Sequence, residues 1–257
     1  MNGEGISYLS IISLGVFIVP IMFINRKLDI RINKRIPVAI GRMVLQLSLV
    51  GFFLQYVFDI NNAFINIGYL LFMMVVASYS SVRSSSLTLK KFLVPIFLAF
   101  IIPNAVVLLF FNTFVTRLEN VFHAQYMITI GGMLLGNTLG GSIICINNFY
   151  KSIKENKNEY FYALSLCGNR SEALSPYFKN AVASSVNPTL ASIETIGLVA
   201  LPGMMSGQIL GGAIPLSAIK YQIAIMIAIM ITRYFSAILV ILFTAVKAFD
   251  EYDVLTI

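Results

Sequence analysis

The length of the uninterrupted apolar runs restricts this chain more than any other feature. Blocks of about 17 to 25 residues recur from end to end, the length at which a helix crosses roughly 30 Å of hydrocarbon. A bilayer offers the backbone no hydrogen-bond partner, so such runs must close their own bonds as helices. Of the 257 residues, 58% are hydrophobic and 11% charged, too little polar surface to cover a water-soluble domain of that size. The alternating ten-residue pattern of an outer-membrane barrel is absent. The reading is an all-α, polytopic protein of the plasma (bacterial inner) membrane with seven spans, near residues 6–24, 36–58, 63–79, 92–114, 125–149, 190–210 and 219–246. Cys145 and Cys167, the only two cysteines, are expected to be free thiols, one in a span and one in a loop.

The net charge of +7 sits in the short segments between spans, not along one soluble face, so nucleic acid is not the expected partner. NRKLDIRINKR, SVRSSSLTLKK and the stretch from Lys151 to Lys179 hold most of the basic residues, whereas the intervening loops hold only Arg117 and the border residue Lys220. By the positive-inside rule this places the N-terminus outside and the C-terminus in the cytoplasm, with lipid as the surrounding partner. FINRKLD after the first run lacks a small-residue cleavage site, so that run reads as a retained helix. Residues 1–257 read as one membrane domain. Its largest polar segment, 150–189, is too short for a core of its own and reads as a cytoplasmic contact surface. Gly168-Asn169 interrupts two helix-favouring runs there, with Ser171 the expected N-cap of the second, giving a helix-turn-helix.

Glycine patterns mark two apolar runs. Gly132, Gly136 and Gly140 in GGMLLGNTLGG, and Gly203, Gly207 and Gly211 in LPGMMSGQILGG, recur every four residues and would each line one helix face where another backbone can approach. Overlaid, the stretches also match Met133 with Met204 and Asn137 with Gln208, the trace of an inverted repeat or two solutions to one packing problem. Pro202 lacks an amide hydrogen and should kink or open the helix beside it. That is tolerated in a membrane only against protein or a water-filled cavity. Met204 and Met205 next to it are flexible gap-fillers or soft ligands.

Few charged residues fall inside the spans. Glu194 is placed near the inner end of the sixth, Arg42 and Gln46 share a face of the second, and Arg233 lies in the middle of the last, with Glu194 a conceivable counter-ion. The single histidine, His123, lies in an outer loop, which leaves no cluster for a structural metal. No phosphate-binding loop, nucleophile elbow or H-E-x-x-H helix is present, so no catalytic residue is assigned and any driving energy must come from a gradient or another chain.

The stretches AIGRMVLQLSLVG (39–51), GGMLLGNTLGG (131–141), ALSLCGNRSEAL (163–174), NPTL (187–190), TIGLVALPGMMSGQILGG (195–212) and IKYQI (219–223) together resemble the FetB family of ABC transporter permeases, bacterial iron exporters. The resemblance implies a permease without a cofactor of its own, a homodimer paired with a separate FetA-type ATPase that uses the ATP. The turn around Gly168 would be the coupling element, with Ala163, Leu164, Gly168, Arg170 and Glu172 facing the ATPase, and the cargo iron or another metal ion. The translocation path or its packing would involve the two glycine ladders with Met133, Asn137, Met204, Met205 and Gln208, together with Arg42, Gln46, Glu194 and Pro202. The alternative is a gradient-driven cation carrier or channel that uses Glu194.

Overall fold

The computed structural model describes Ser10 and residues 13–256. Helix dominates them, and pairing of extended backbone is confined to two isolated bridges, Ile196 to Ala200 and Phe249 to Leu255. Part of the first expected span, residues 6–9 and 11–12, lies outside the described residues. The chain divides into two compact units at Ile60. In the first, a 3₁₀ turn at Gly15–Phe17 leads into α1 (Ile18–Lys27), and α2 (Arg35–Ile60) follows a tight turn in which the Asn33 side-chain amide donates to the Met22 carbonyl at 2.9 Å.

The second unit begins with α3 (Ala63–Ser84), capped by the Asn62 side chain, which accepts from the Phe64 amide. Next come α4 (Leu89–Phe110), extended by a π turn at Phe111–Val115, and α5 (Ala124–Glu155). The remaining elements are α6 (Lys157–Cys167), α7 (Arg170–Thr195), α8 (Gly203–Leu210) and α9 (Pro215–Ala248), the last opening with proline where its missing amide hydrogen costs nothing. Among the described residues, five helices have the length and apolarity to cross a membrane: α2, α3, α4 with its π turn, α5 and α9.

Helix α5 is central, packing on α3, α4, α7 and α9. Phe92, Phe100, Leu134, Ile146, Phe149, Ile225 and Ile241 are buried at these contacts. Polar rungs cross them as well: Tyr150 donates to Thr244 Oγ1 at 2.7 Å, Cys145 Sγ to the Ala237 carbonyl at 3.5 Å, and Ser185 to the Gly141 carbonyl at 2.8 Å. Between apolar helices such bonds set register, because the alternative is a bare polar group in hydrocarbon. Cys145 is buried and Cys167 exposed, both as free thiols.

The expected span at 190–210 is not one helix. Helix α7 passes without a break through Asn187-Pro188, the expected lead into that span, and ends at Thr195. Gly197 then takes a left-handed φ of 82°, its amide closing a turn on the Ala200 carbonyl at 2.9 Å. Pro202, extended at φ −61° and ψ 143°, caps the short α8 and keeps Leu201 from helical geometry. Of the two outcomes expected there, a kink or an opening, the chain takes the opening, as a full break. The helix that runs through the bundle in this part of the chain is the polar α7: its Ser185 reaches Gly141 in the middle of α5, and its 26 residues extend about 39 Å.

Candidate functional site

The hairpin of α6 and α7 is built as the Gly-Asn pair suggested, with one change of cap. Gly168 adopts φ 62°, open to glycine at no steric cost, and its amide bonds the Leu164 carbonyl at 2.9 Å. The N-cap of α7 is Asn169, not Ser171: the Asn169 side chain accepts from the Ser171 amide at 3.0 Å. Asparagine and serine cap about equally well, and here Asn169 is the residue in extended backbone conformation. Of the five residues expected to face a partner, Gly168 and Glu172 are exposed, while Ala163 and Leu164 are half-buried against the core. Exposed apolar surface comes instead from Tyr162 and Leu166, 68% and 69% exposed.

Arg170 is committed within the chain. Its guanidinium pairs with Asp253 at 3.0 Å and lies over the Phe249 ring, 5.5 Å from the centroid. The segment after α9 folds back through Asp250, which accepts from the Tyr252 and Val254 amides, and Tyr160 donates to the Asp253 carbonyl at 3.0 Å. Burial, and then the Asp253 charge, push the Tyr160 phenol up to about 12, so it remains a donor at neutral pH. Tyr177 on α7 is also raised, by burial first and Glu159 second. The acidic C-terminal stretch thus clasps both helices of the hairpin, α6 through Tyr160 and the start of α7 through Arg170, a role that only long-range contacts define.

The glycine ladders do not interlock. A Cβ at Gly136, Gly140, Gly203 or Gly207 would meet nothing within 4 Å, and Gly132 would meet only the tip of Met73 at 3.3 Å. Gly211 lies beyond the end of α8 and touches only its own turn, so α8 holds only Gly203 and Gly207 of that ladder. The close approaches are made by two neighbours of the α5 ladder. A Cβ at Gly131 would stand 2.7 Å from Leu70 Cδ1, and one at Gly141 would stand 2.6 Å from Arg233 Nε and 3.0 Å from Ser185 Oγ. A small residue facing a long mid-helix arginine was the signal for Gly141. Asn137 bonds the Met133 carbonyl of its own helix at 2.9 Å, Met133 and Met204 pack half-buried against the core, and Met205 is buried. Gln208 is half-buried on α8.

Arg233 is buried in the middle of α9 at 8% exposure, and its Nε has no hydrogen-bond partner among the described residues. It makes no ion pair with Glu194. That carboxylate stands nine residues beyond Ser185 on α7, about 13 Å along the helix, and is exposed. Glu194 therefore lies at the end of α7 opposite the hairpin, and not next to the hairpin as a span beginning at residue 190 implied. Arg42 and Gln46 are both exposed on one face of α2, where they line a shallow groove of about 330 Å³ with Ala39, Met43 and Leu47. His123 precedes α5 and stacks edge-on against Tyr126, and no group of three His, Cys, Asp or Glu stands close enough to hold a metal among the described residues.

The family model for the uncharacterised protein family UPF0014 matches residues 8–249. The probable iron export permease protein FetB of Escherichia coli K12 is 28% identical over 98% of this chain and 95% of its own length. YjkA, a UPF0014 membrane protein of Bacillus subtilis, is 28% identical over 96% of this chain, and the protein ALUMINUM SENSITIVE 3 of Arabidopsis thaliana is 35% identical over 73% of it and 67% of its own length. No solved structure matches the chain.

Proposed function

Because the chain belongs to the UPF0014 family, we propose that this multi-pass membrane protein is the permease half of an ABC exporter for iron or a related metal cation. The observation that carries this reading is its end-to-end similarity to a relative named as an iron export permease. Two copies of the permease domain pair with two copies of a separate FetA-type ATPase, which binds and hydrolyses the ATP. The chain itself is not an enzyme and holds no cofactor. Its N-terminus faces outward and its C-terminus the cytoplasm, in keeping with the charge pattern.

The α6–α7 hairpin is the part that receives the ATPase. Its tip offers Tyr162 and Leu166, exposed and apolar, beside Glu172, while Ala163 and Leu164 anchor it to the core. Gly168 forms its sharp turn, and the Arg170–Asp253 pair ties the start of α7, beside that turn, to the segment after α9, so displacement of the tip is carried into α7 and α9 together.

The reading is tested by ATP-dependent ferrous iron uptake into inside-out vesicles that contain this chain with its ATPase, beside vesicles without the ATPase. Uptake requiring both proteins and ATP is expected. Uptake without the ATPase, driven by a pH gradient, would overturn it in favour of a carrier using Glu194.

A further inference from the structure

The outer faces of α4 and α9 are aliphatic and aromatic, with Val94, Val106, Ile223 and Phe235 exposed, as suits helices that meet lipid. Helix α7 is different. Ser185 bonds Gly141 near the middle of α5 and stands beside Arg233 near the middle of α9, so this part of α7 lies at mid-depth in the bundle. On the opposite side of α7 from Ser185, Asn180, Asn187 and Glu194 recur every seven residues. Seven residues fall about 20° short of two full turns, so the three stand nearly in one line, about 10 Å apart.

All three are exposed, and none makes a side-chain hydrogen bond or ion pair with another described residue. The hydroxyls further round the helix show how a polar group can be silenced in such a setting: Ser192 donates to the Pro188 carbonyl at 2.8 Å and Thr195 to the Ala191 carbonyl at 2.9 Å. Asn180 and Asn187 make no such bond. A second observation points the same way. Pro188 has no amide hydrogen to give the Ser184 carbonyl, one turn back and next to the same line. Free amides and an unpaired carbonyl at this depth require water or protein against them, not hydrocarbon.

We infer that the Asn180–Asn187–Glu194 line of α7 forms a wall of the water-filled translocation path, and that its ligand is a partly hydrated divalent cation. This inference rests on the permease reading above. The wall presents oxygens: the Asn180 and Asn187 side chains, the Ser184 carbonyl, and the Glu194 carboxylate at the end away from the hairpin. Oxygen donors without thiolate or imidazole suit a cation that keeps part of its water shell and is passed along, not caged. Helix α7 continues directly from the Gly168 turn, so movement of the hairpin acts along the helix that lines the path.

The test is single-cysteine labelling of the full-length chain in membranes, with Cys145 and Cys167 first replaced by serine. Asn180→Cys, Asn187→Cys and Ala191→Cys are compared with Ile227→Cys on the outer face of α9, using a membrane-impermeant, cationic methanethiosulfonate. Since the reactive thiolate forms only in contact with water, labelling of the α7 positions about tenfold or more faster than Ile227→Cys is expected. Ala191→Cys, a small change beside the same line, keeps the test valid should an asparagine variant misfold. Equal, slow labelling at all four positions would overturn the inference, as would disulfide cross-linking between two copies at position 187 without reagent access, which marks a dry seam. Labelling needs no ATPase, so fast labelling in a protein that moves no iron with its ATPase would preserve the path and overturn only the exporter reading.

Discussion

Gly132 to Gly141 in α5 and Gly203 to Gly212 around α8 share the pattern G-M-x-x-G-N/Q-x-L-G-G, yet they adopt different structures. The first lies inside a 32-residue helix packed on four others. The second forms an eight-residue helix between Pro202 and the turn that precedes Pro215. Their last glycines show the contrast most sharply. Gly141 is helical and forms the notch that admits Arg233, whereas Gly212 has φ 94° and serves the backbone of a turn. A glycine pattern allows close packing or chain reversal, and the flanking residues decide between them.

The comparison is most easily broken at Gly141. Gly141→Leu drives a side chain into Arg233 and Ser185 and should cost about 3 kcal/mol or more, seen as a lower thermal midpoint and loss of monodispersity in detergent. A stable, monodisperse variant would mean that the notch is not filled as described. Gly212→Ala meets no neighbouring atom but strains the left-handed turn, for about 1 kcal/mol. Hydrogen exchange should then speed up in α8 while α5 is unchanged. Gly207→Leu projects into open space and should alter stability by less than about 0.5 kcal/mol. It should nevertheless abolish ATP-driven transport, because the added side chain fills the open face of α8 and blocks close approach of another backbone there; full transport by this variant would remove α8 from the mechanism.

Much of the candidate site was legible in the sequence, and the failures have identifiable causes. Gly168-Asn169 announced the hairpin because a left-handed turn and a helix cap are local needs that those residues meet. Spans read from apolar length agree with α2, α3, α4, α5 and α9 for the same reason. The sixth span was misplaced because hydropathy ranks an isolated helix by its affinity for lipid. Helix α7 is polar, but it buries one face against α5 and α9 and turns the other, with Asn180, Asn187 and Glu194, away from them. The seven-residue spacing of that line was visible, yet without a depth for the helix it had no meaning.

The sequence by itself determined that this chain lives in a membrane, that it is helical, and where a hairpin breaks the run of spans. Those outcomes follow from solvent and backbone demands that act residue by residue. Only the tertiary structure decided that Gly141, and not the ladder beside it, receives Arg233, that Asp253 holds Arg170, and that Glu194 lies far from both the hairpin and Arg233. Each depends on which helix faces which, and that is set by packing among residues far apart in the chain, a quantity no local pattern carries.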